Sequence, residues 1–203
     1  MTKVVILGAG RVGRALLKIL EKQKHNVTVI EENKEICDEL AAESNSTVIN
    51  GDATEPELLD ELKLKEVLYV FAVTGNEETN FLASIYAKQA GAEKVISRVG
   101  EAKHSLLLER LGVETVIPEF TLAMELANRV SSPTIFKLLN PLESNVELFE
   151  KKVDKGMAGK KIAKVNKDQR YNVIATFHEG KFHVAKPDNV LKEGMKVIIV
   201  RER

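Results

Sequence analysis

The sequence predicts an α/β protein with a doubly wound parallel sheet, crossover helices and a small β-rich C-terminal lobe. Three observations carry this prediction. Short, β-branched apolar runs recur as far as Ile117, helical patterns separate them, and the residues after 146 form short runs rich in Val, Ile and Lys. Nearly continuous apolar runs are typical of parallel strands covered on both faces. Their alternation with helices is typical of βαβ units.

The apolar runs are the predicted strands of the sheet. In chain order they are Val4–Leu7, Val27–Ile30, Thr47–Ile49, Val67–Val73, Val95–Ile96 and Val113–Ile117. The helical patterns between them are Val12–Lys24, Glu35–Ser44, Pro56–Leu62, Asn76–Ala90 and Glu101–Leu111. Gly91 and Gly112 follow the last two, at the position where a helix commonly ends on glycine. Thr54 and Glu57 predict an N-cap and a capping box for the third.

A longer helical pattern covers Glu119–Leu139. Pro133 lies inside it, and an interior proline breaks or kinks a helix, so we expect two helices joined near Ser131-Ser132. The pattern contains more apolar residues than one core-facing stripe needs. Two interpretations stay open: the helices dock on their own domain, or they pack against a second subunit.

The composition changes after Asn140-Pro141, which predicts two domains, 1–140 and 141–203. In the second, the runs Val173–Phe177 and Phe182–Ala185 flank His178-Glu179-Gly180-Lys181, a sequence typical of a hairpin turn. Val197–Val200 is the predicted last strand.

The composition excludes several classes of protein. The 30 Lys and Arg residues balance 30 Asp and Glu residues, which argues against nucleic-acid binding, since that needs a basic surplus. A single cysteine, Cys37, excludes a disulfide framework and a multi-cysteine metal site, and it favours a reducing compartment. The first residues do not have the pattern of a signal peptide, and no apolar stretch reaches the roughly 20 residues that a membrane-spanning helix needs. We therefore expect a soluble, cytoplasmic protein without direct membrane insertion.

The loop after the first strand carries the strongest functional signal. It reads Gly8-Ala9-Gly10-Arg11-Val12-Gly13 and opens a helix, which is the context that a dinucleotide-binding glycine motif requires. Gly8 allows the tight turn, Gly10 lets a pyrophosphate approach the backbone, and Gly13 lets helix and strand pack closely. The helix N-terminus attracts the anion, and Arg11 is placed to pair with a distal phosphate. These features predict a Rossmann-like sheet.

Glu31 ends the second predicted strand, where an acidic residue accepts hydrogen bonds from ribose hydroxyls. An acid there favours an unphosphorylated ribose, hence NAD(H) or ATP/ADP over NADP. The alternative is a surface glutamate beside Glu32.

Other candidate binding residues follow later strands, at the sheet edge where ligands of such folds bind. They are Asp52, Ala53, Thr54, Thr74, Gly75, Asn76, Asn80 and Arg98. Asp52 and Thr54 are candidates for contact with the base, and Arg98 is a candidate for neutralising phosphate or for meeting a partner subunit.

An oxidoreductase is the alternative function. Such an enzyme needs a proton donor near the nicotinamide. None of the four histidines (His25, His104, His178 and His183) follows a predicted strand at the ligand edge, and no Tyr-x-x-x-Lys pair occurs. We therefore predict a binding protein rather than an enzyme.

Taken together, the glycine loop, Glu31, Gly51-Asp52-Ala53-Thr54, Thr74–Asn80, Arg98 and Pro118-Glu119 resemble the RCK family, the TrkA/KtrA-type regulatory subunits of potassium uptake systems. The resemblance covers essentially the whole chain. It implies a cytoplasmic gating subunit at the inner face of the cell membrane. It further implies that bound ATP/ADP or NAD(H) changes the conformation of a ring, and that homodimers assemble into this octameric ring on a membrane potassium-translocating subunit.

The resemblance also implies roles for single residues. Arg11 matches an arginine that reaches nucleotide phosphates, and Glu119 matches a glutamate near the terminal phosphates and a divalent cation. A carboxylate suits Mg²⁺ or Ca²⁺, but one per chain is a partial site that needs a dimer interface. The alternative for Glu119 is a glutamate favoured by the helix dipole. Gly194-Met195 departs from the Gly-Asp that is frequent in the family.

Overall fold

The structure is a computed structural model that describes residues 2–139, 144–169 and 171–202. Two compact units divide at Met124 and Glu125. This division lies inside a helix, whereas the sequence places the domain boundary after residue 140. Asn140 and Pro141, on which that boundary rests, lie outside the described residues, so the domain limits stay a prediction.

The first unit contains a parallel sheet of six strands in the order β3-β2-β1-β4-β5-β6. The strands are β1 (Lys3–Leu7), β2 (Asn26–Glu31), β3 (Thr47–Asn50), β4 (Tyr69–Ala72), β5 (Lys94–Arg98) and β6 (Glu114–Val116). The predicted fold is confirmed, and each predicted strand overlaps an observed one. The chain changes direction across the sheet between β1 and β4, which opens a crevice at the carboxyl ends of these two strands.

Helices cover both faces of this sheet. They are α1 (Arg11–Lys22), α2 (Lys34–Glu43), α3 (Pro56–Glu61), α4 (Glu77–Gln89) and α5 (Ala102–Arg110). Along β1, Val4 and Ile6 belong to one apolar cluster and Val5 and Leu7 to another. Because successive side chains of a strand point to opposite faces, β1 is buried on both faces. This explains its continuous apolar sequence.

Two of the predicted helix ends are confirmed and one predicted start is wrong. Gly91 and Gly112 have φ values of 96° and 75° and follow α4 and α5. The N-cap of α3 is Glu55, without a side-chain hydrogen bond, so Thr54 and Glu57 do not form a capping box. The Thr54 hydroxyl and N–H both donate to Asp52 instead. This tight local turn competes with capping of the helix.

The long helical pattern is broken where Pro133 predicts. Helix α6 covers Pro118–Ser131 and α7 covers Pro133–Leu139, and neither contains a buried residue. Apolar side chains on both are exposed, among them Phe120, Leu126, Val130, Ile135 and Leu139. Packing of these side chains on a second subunit, rather than on their own domain, stays a prediction.

The second unit contains an antiparallel sheet in the order β7-β10-β8-β9. Its strands are β7 (Val146–Lys152), β8 (Asn172–His178), β9 (Lys181–Val184) and β10 (Lys196–Glu202). Glu179 and Gly180 both have positive φ, 51° and 74°, as a two-residue hairpin turn of type I′ requires. A further helix, α8 (Ile162–Gln169), was not predicted. Of its eight residues, Ile162 and Val165 are buried. Two buried positions are too few to show a helical period.

Among the described residues, no helix combines the length and apolarity needed to cross a bilayer.

Candidate functional site

The three glycines of the β1–α1 loop have different surroundings. Gly8 has a φ of 99°, and a Cβ there would lie 2.7 Å from the Thr74 Cα. A Cβ on Gly13 would overlap the Gly8 carbonyl oxygen, whereas one on Gly10 would meet nothing within 4 Å. The fold therefore requires glycine at positions 8 and 13. At position 10 the absent side chain leaves open space.

Glu31, at the end of β2, is bonded to the glycine loop. Its Oε2 accepts the backbone N–H of Ala9 at 2.7 Å, and its Oε1 accepts the N–H of Asn33 at 2.9 Å. The Gly8 N–H also donates to the Ile30 carbonyl at 2.8 Å. The end of β2 thus holds the loop in place, while Glu31 stays half-buried and keeps lone pairs free for further donors.

A cleft of about 360 Å³ lies at the carboxyl ends of the central strands. It brings together eight of the predicted site residues, namely Gly8, Gly10, Glu31, Asp52, Ala53, Thr74, Gly75 and Asn76. Ala9, Arg11, Val12, Gly13 and Thr54 are near in sequence but do not line this cleft. Arg11 and Val12 are exposed on the first turn of α1.

Five lining residues were not predicted: Ile30, Glu32, Ile36, Gly51 and Thr79. Ile30, Ile36 and Ala53 supply an apolar surface beside the carboxylates of Glu31, Glu32 and Asp52. An apolar wall next to hydrogen-bond acceptors suits an uncharged, flat base and a ribose. Three carboxylates at this end would repel a phosphate on the ribose. The position of Ile36 on the first turn of α2, the helix that follows the strand ending at Glu31, is the sequence signal that could have identified it.

Asp52 is oriented by its neighbour Thr54. Its Oδ1 accepts the Thr54 N–H at 2.7 Å and the Thr54 hydroxyl at 2.8 Å. Both hydrogen bonds favour the charged form and lower the pKa of Asp52. Asp52 therefore presents an ionised carboxylate to the cleft, and Thr54 acts through it.

Asn80 joins the ends of β4 and β5. Its Oδ1 accepts both the N–H and the hydroxyl of Thr74 at 2.8 Å, and its Nδ2 donates to the carbonyl of Arg98 at 3.2 Å. The residue is 1% exposed. These contacts use the amide within the protein and hold the sheet edge in shape, while contact of Asn80 with a ligand stays a prediction.

A second, smaller cleft of about 120 Å³ adjoins the first through Thr74 and Gly75. It is lined by the predicted residues Arg98, at the end of β5, and Glu119, in the first turn of α6, and also by Asn80 and Glu77. A guanidinium and a carboxylate thus share one recess beside the main cleft.

Sequence reasoning missed the pair Glu77 and His104. His104 Nδ1 lies 2.7 Å from Glu77 Oε1, and this contact, with the N–H of Gly100, lowers the pKa of Glu77. The pair links the start of α4 to α5. In the second unit, the rings of His178 and His183 stack at 4.3 Å, across the hairpin that was predicted.

The described residues of one chain do not by themselves form a divalent-cation site. In the part of the chain that the structure describes, no group of three or more His, Cys, Asp or Glu side chains could hold a metal ion. Glu119 lines the smaller cleft together with the cationic Arg98. Cys37 is buried, and burial raises the pKa of its thiol.

Known proteins resemble both the sequence and the fold. Residues 4–119 match the family described as TrkA-N domain. The "Trk system potassium uptake protein TrkA homolog" of Methanothermobacter thermautotrophicus is 31% identical over 199 residues, which cover 97% of this chain and 92% of that protein.

Among solved structures, "GsuK channel bound to NAD" has a TM-score of 0.58 and 20% identity and covers 100% of this chain. "Crystal structure of the GsuK bound to ADP" has a TM-score of 0.57 and 21% identity over 64% of this chain. The matched regions make up only 37% and 35% of those chains, and at such identities the likeness concerns the fold. The family match and the similar homologue show that the chain belongs to the TrkA-N family of RCK-type regulators, as its motifs predict.

Proposed function

We propose that this protein is a nucleotide-binding regulatory subunit of potassium transport. The observation that carries the proposal is the cleft of about 360 Å³ at the crevice between β1 and β4, where a glycine loop, a helix N-terminus and Glu31 converge. The homologue from Methanothermobacter is named as a potassium uptake protein, and this name supports the choice of system.

The ligand is an adenine nucleotide, NAD(H) or ATP/ADP. The apolar wall of Ile30, Ile36 and Ala53 suits the base, and Glu31 suits the ribose hydroxyls. The open space at Gly10 and the free N–H groups of the first turn of α1 suit the pyrophosphate. Arg11 and Arg98 are the cations available for further phosphates. GsuK, which shares the fold, is named as bound to NAD in one structure and to ADP in another.

Glu119 is the candidate ligand for Mg²⁺ or Ca²⁺. A single carboxylate holds such an ion only when other oxygens complete the shell, since these cations take six or more oxygen ligands. Nucleotide phosphates and the Glu119 of a second copy are the sources that the proposal requires.

Regulation works through assembly. The exposed apolar side chains of α6 and α7 favour a homodimer, and we propose that homodimers form an octameric ring on the cytoplasmic side of a membrane potassium-translocating subunit. The nucleotide shifts this ring only if it binds one conformation better than another, because coupling equals the difference in binding free energy. This role needs no catalysis. Among the described residues lining the main cleft there is no His, Lys, Tyr or Cys to act as the proton donor of an oxidoreductase.

Calorimetric titration of the full chain with ADP, ATP and NADH tests the proposal. We expect binding by the native protein and loss of binding by Gly10→Val, which fills the space needed by phosphate. Ala15→Val places the same side chain at an exposed position of α1 and serves as the matched control. Light scattering after size exclusion then tests regulation. A strictly monomeric chain with no nucleotide-dependent change in shape would contradict the proposal, as would hydride transfer across a substrate panel.

A further inference from the structure

We propose that Arg14 is a positioning residue for phosphate recognition, and that it acts by fixing the peptide between Ala9 and Gly10. This inference rests on the proposed nucleotide-binding function. Arg14 lies on the first turn of α1, does not line the cleft, and is not part of the glycine motif. Its Nε donates to the Ala9 carbonyl at 3.2 Å, and its Nη2 donates to Glu39 Oε2, on α2, at 2.7 Å.

Both backbone polar groups of Ala9 are therefore held by charged side chains. Glu31 Oε2 accepts the Ala9 N–H at 2.7 Å, and Arg14 binds the Ala9 carbonyl. Hydrogen bonds to charged groups are stronger than neutral ones. Ala9 itself is 1% exposed, so the contact with its carbonyl is protected from water on the loop side.

Planarity of the peptide carries this restraint to Gly10. The Ala9 carbonyl and the Gly10 N–H belong to the same trans peptide, in which the two groups point in opposite directions. By holding the carbonyl, Arg14 sets the direction of the Gly10 N–H. Gly10 lines the cleft and has open space where a side chain would be, so this N–H is available to an anion there.

Glu39 fixes the orientation of the Arg14 guanidinium. Its carboxylate accepts a hydrogen bond from Nη2 of Arg14, so that Nε stays directed at the Ala9 carbonyl. An arginine presents several N–H groups in a rigid fork, whereas a lysine has one flexible ammonium group. The side chains of Arg14 and Glu39 are 32% and 60% exposed. An ion pair this exposed adds little to stability, which leaves orientation of the loop as its main effect.

The test compares ADP with adenosine, which lacks phosphate, by calorimetry and by NMR titration. We expect Arg14→Leu and Glu39→Leu each to weaken ADP binding about five- to tenfold, the scale of a weakened hydrogen bond to a charged group. Adenosine binding should be unchanged. Lys3→Leu is the matched control, because Lys3 forms an exposed ion pair with Glu66 at the opposite end of β1 and its loss should change neither affinity.

The charge-swapped variant Arg14→Glu/Glu39→Arg separates positioning from a purely structural role. The swap restores the ion pair between α1 and α2 but leaves no donor at position 14 for the Ala9 carbonyl. We expect normal thermal stability with ADP affinity still reduced. Recovery of ADP affinity by the swap would overturn the proposal.

Two further outcomes distinguish failure of this inference from failure of the proposed function. If Arg14 touched phosphate directly, Glu39→Leu would free the guanidinium and preserve or raise ADP affinity, which would also overturn the positioning role. If the native protein bound no adenine nucleotide at all, the proposed function itself would fail. Native binding with unchanged affinity in both single variants would overturn this inference alone.

Discussion

The carboxylate of Glu31 accepts the backbone N–H of Ala9 at 2.7 Å. The residue that the sequence predicts to bind ribose therefore also holds the glycine loop that we propose binds phosphate, and one side chain connects the two halves of the proposed nucleotide site. A substitution at Glu31 should consequently affect both the sugar and the loop.

Replacing Glu31 with Gln should weaken ADP binding by about 1–3 kcal/mol, because a charged acceptor for ribose hydroxyls and for Ala9 becomes a neutral one. Calorimetric titration measures the change. Glu32→Gln, at the neighbouring exposed position that also lines the cleft, is the control and should have a smaller effect. Equal affinity of the native protein for ADP and 2′-deoxyADP would contradict ribose recognition by Glu31.

Substitutions at Gly13 and at Gly10 should have different effects on the stability of the fold. Gly13→Ala should lower the free energy of unfolding by about 1–3 kcal/mol, the usual cost of overpacking, because its Cβ would overlap the Gly8 carbonyl. Gly10→Ala should leave stability nearly unchanged, since its φ of −67° suits any residue and its Cβ meets nothing. Urea denaturation measures both. A severe loss of stability in Gly10→Ala would show that the loop is packed differently.

Asn80→Ala should destabilise the protein by about 2 kcal/mol, because it leaves part-buried backbone groups of Thr74 and Arg98 without their hydrogen bonds. Asn76→Ala is the comparison: it removes only an N-cap bond to the Thr79 N–H, typically worth about 1 kcal/mol. Thermal unfolding with ligand titration checks both. Full stability of Asn80→Ala together with lost nucleotide binding would instead indicate direct ligand contact.

Stability at acid pH should depend on Asp52. The pKa of Asp52 is lower in the folded state than in the unfolded chain because Thr54 donates two hydrogen bonds to the carboxylate. A depressed folded pKa contributes stability above the unfolded value of about 3.9, and this contribution is lost as pH falls through the folded pKa.

Thr54→Val removes the hydroxyl donor and should raise the pKa of Asp52 towards its ordinary value. The variant should be less stable than the native protein at neutral pH, and the difference should shrink as Asp52 becomes protonated. NMR titration and urea denaturation across the acid range measure this. Thr47→Val, at an exposed strand position, should show no such pH dependence. A difference that stays constant with pH would exclude the linkage.

Assembly should depend on the apolar surface of α6. Val130 is 86% exposed and Leu126 is 55% exposed, so Leu126→Glu/Val130→Glu should shift the homodimer to monomer in light scattering, since burying unpaired charges is costly. Lys181→Glu, on the exposed strand β9, is the control for added negative charge. An unchanged oligomeric mass would show that copies pair elsewhere.

Much of the fold follows from local sequence rules. The strands are visible as continuous apolar runs because both faces of the sheet are covered, and Gly91 and Gly112 mark helix ends because glycine adopts the positive φ there without steric cost. Helix α8 escaped prediction because its short sequence has only two buried residues, Ile162 and Val165. Thr54 was misread as a cap because the N-cap lies one residue later, at Glu55, and Thr54 belongs instead to the local turn in which it donates to Asp52.

The sequence by itself determined the doubly wound sheet, the glycine loop, and the sheet edge at which the binding residues gather, since these depend on period, turn chemistry and strand order. Only the tertiary structure decided what each residue does there. Asn80 and Glu31 bond to distant backbone groups, and Arg14 and Glu39 meet across two helices. Such contacts join residues far apart in the chain, so their geometry follows from packing and from no local pattern.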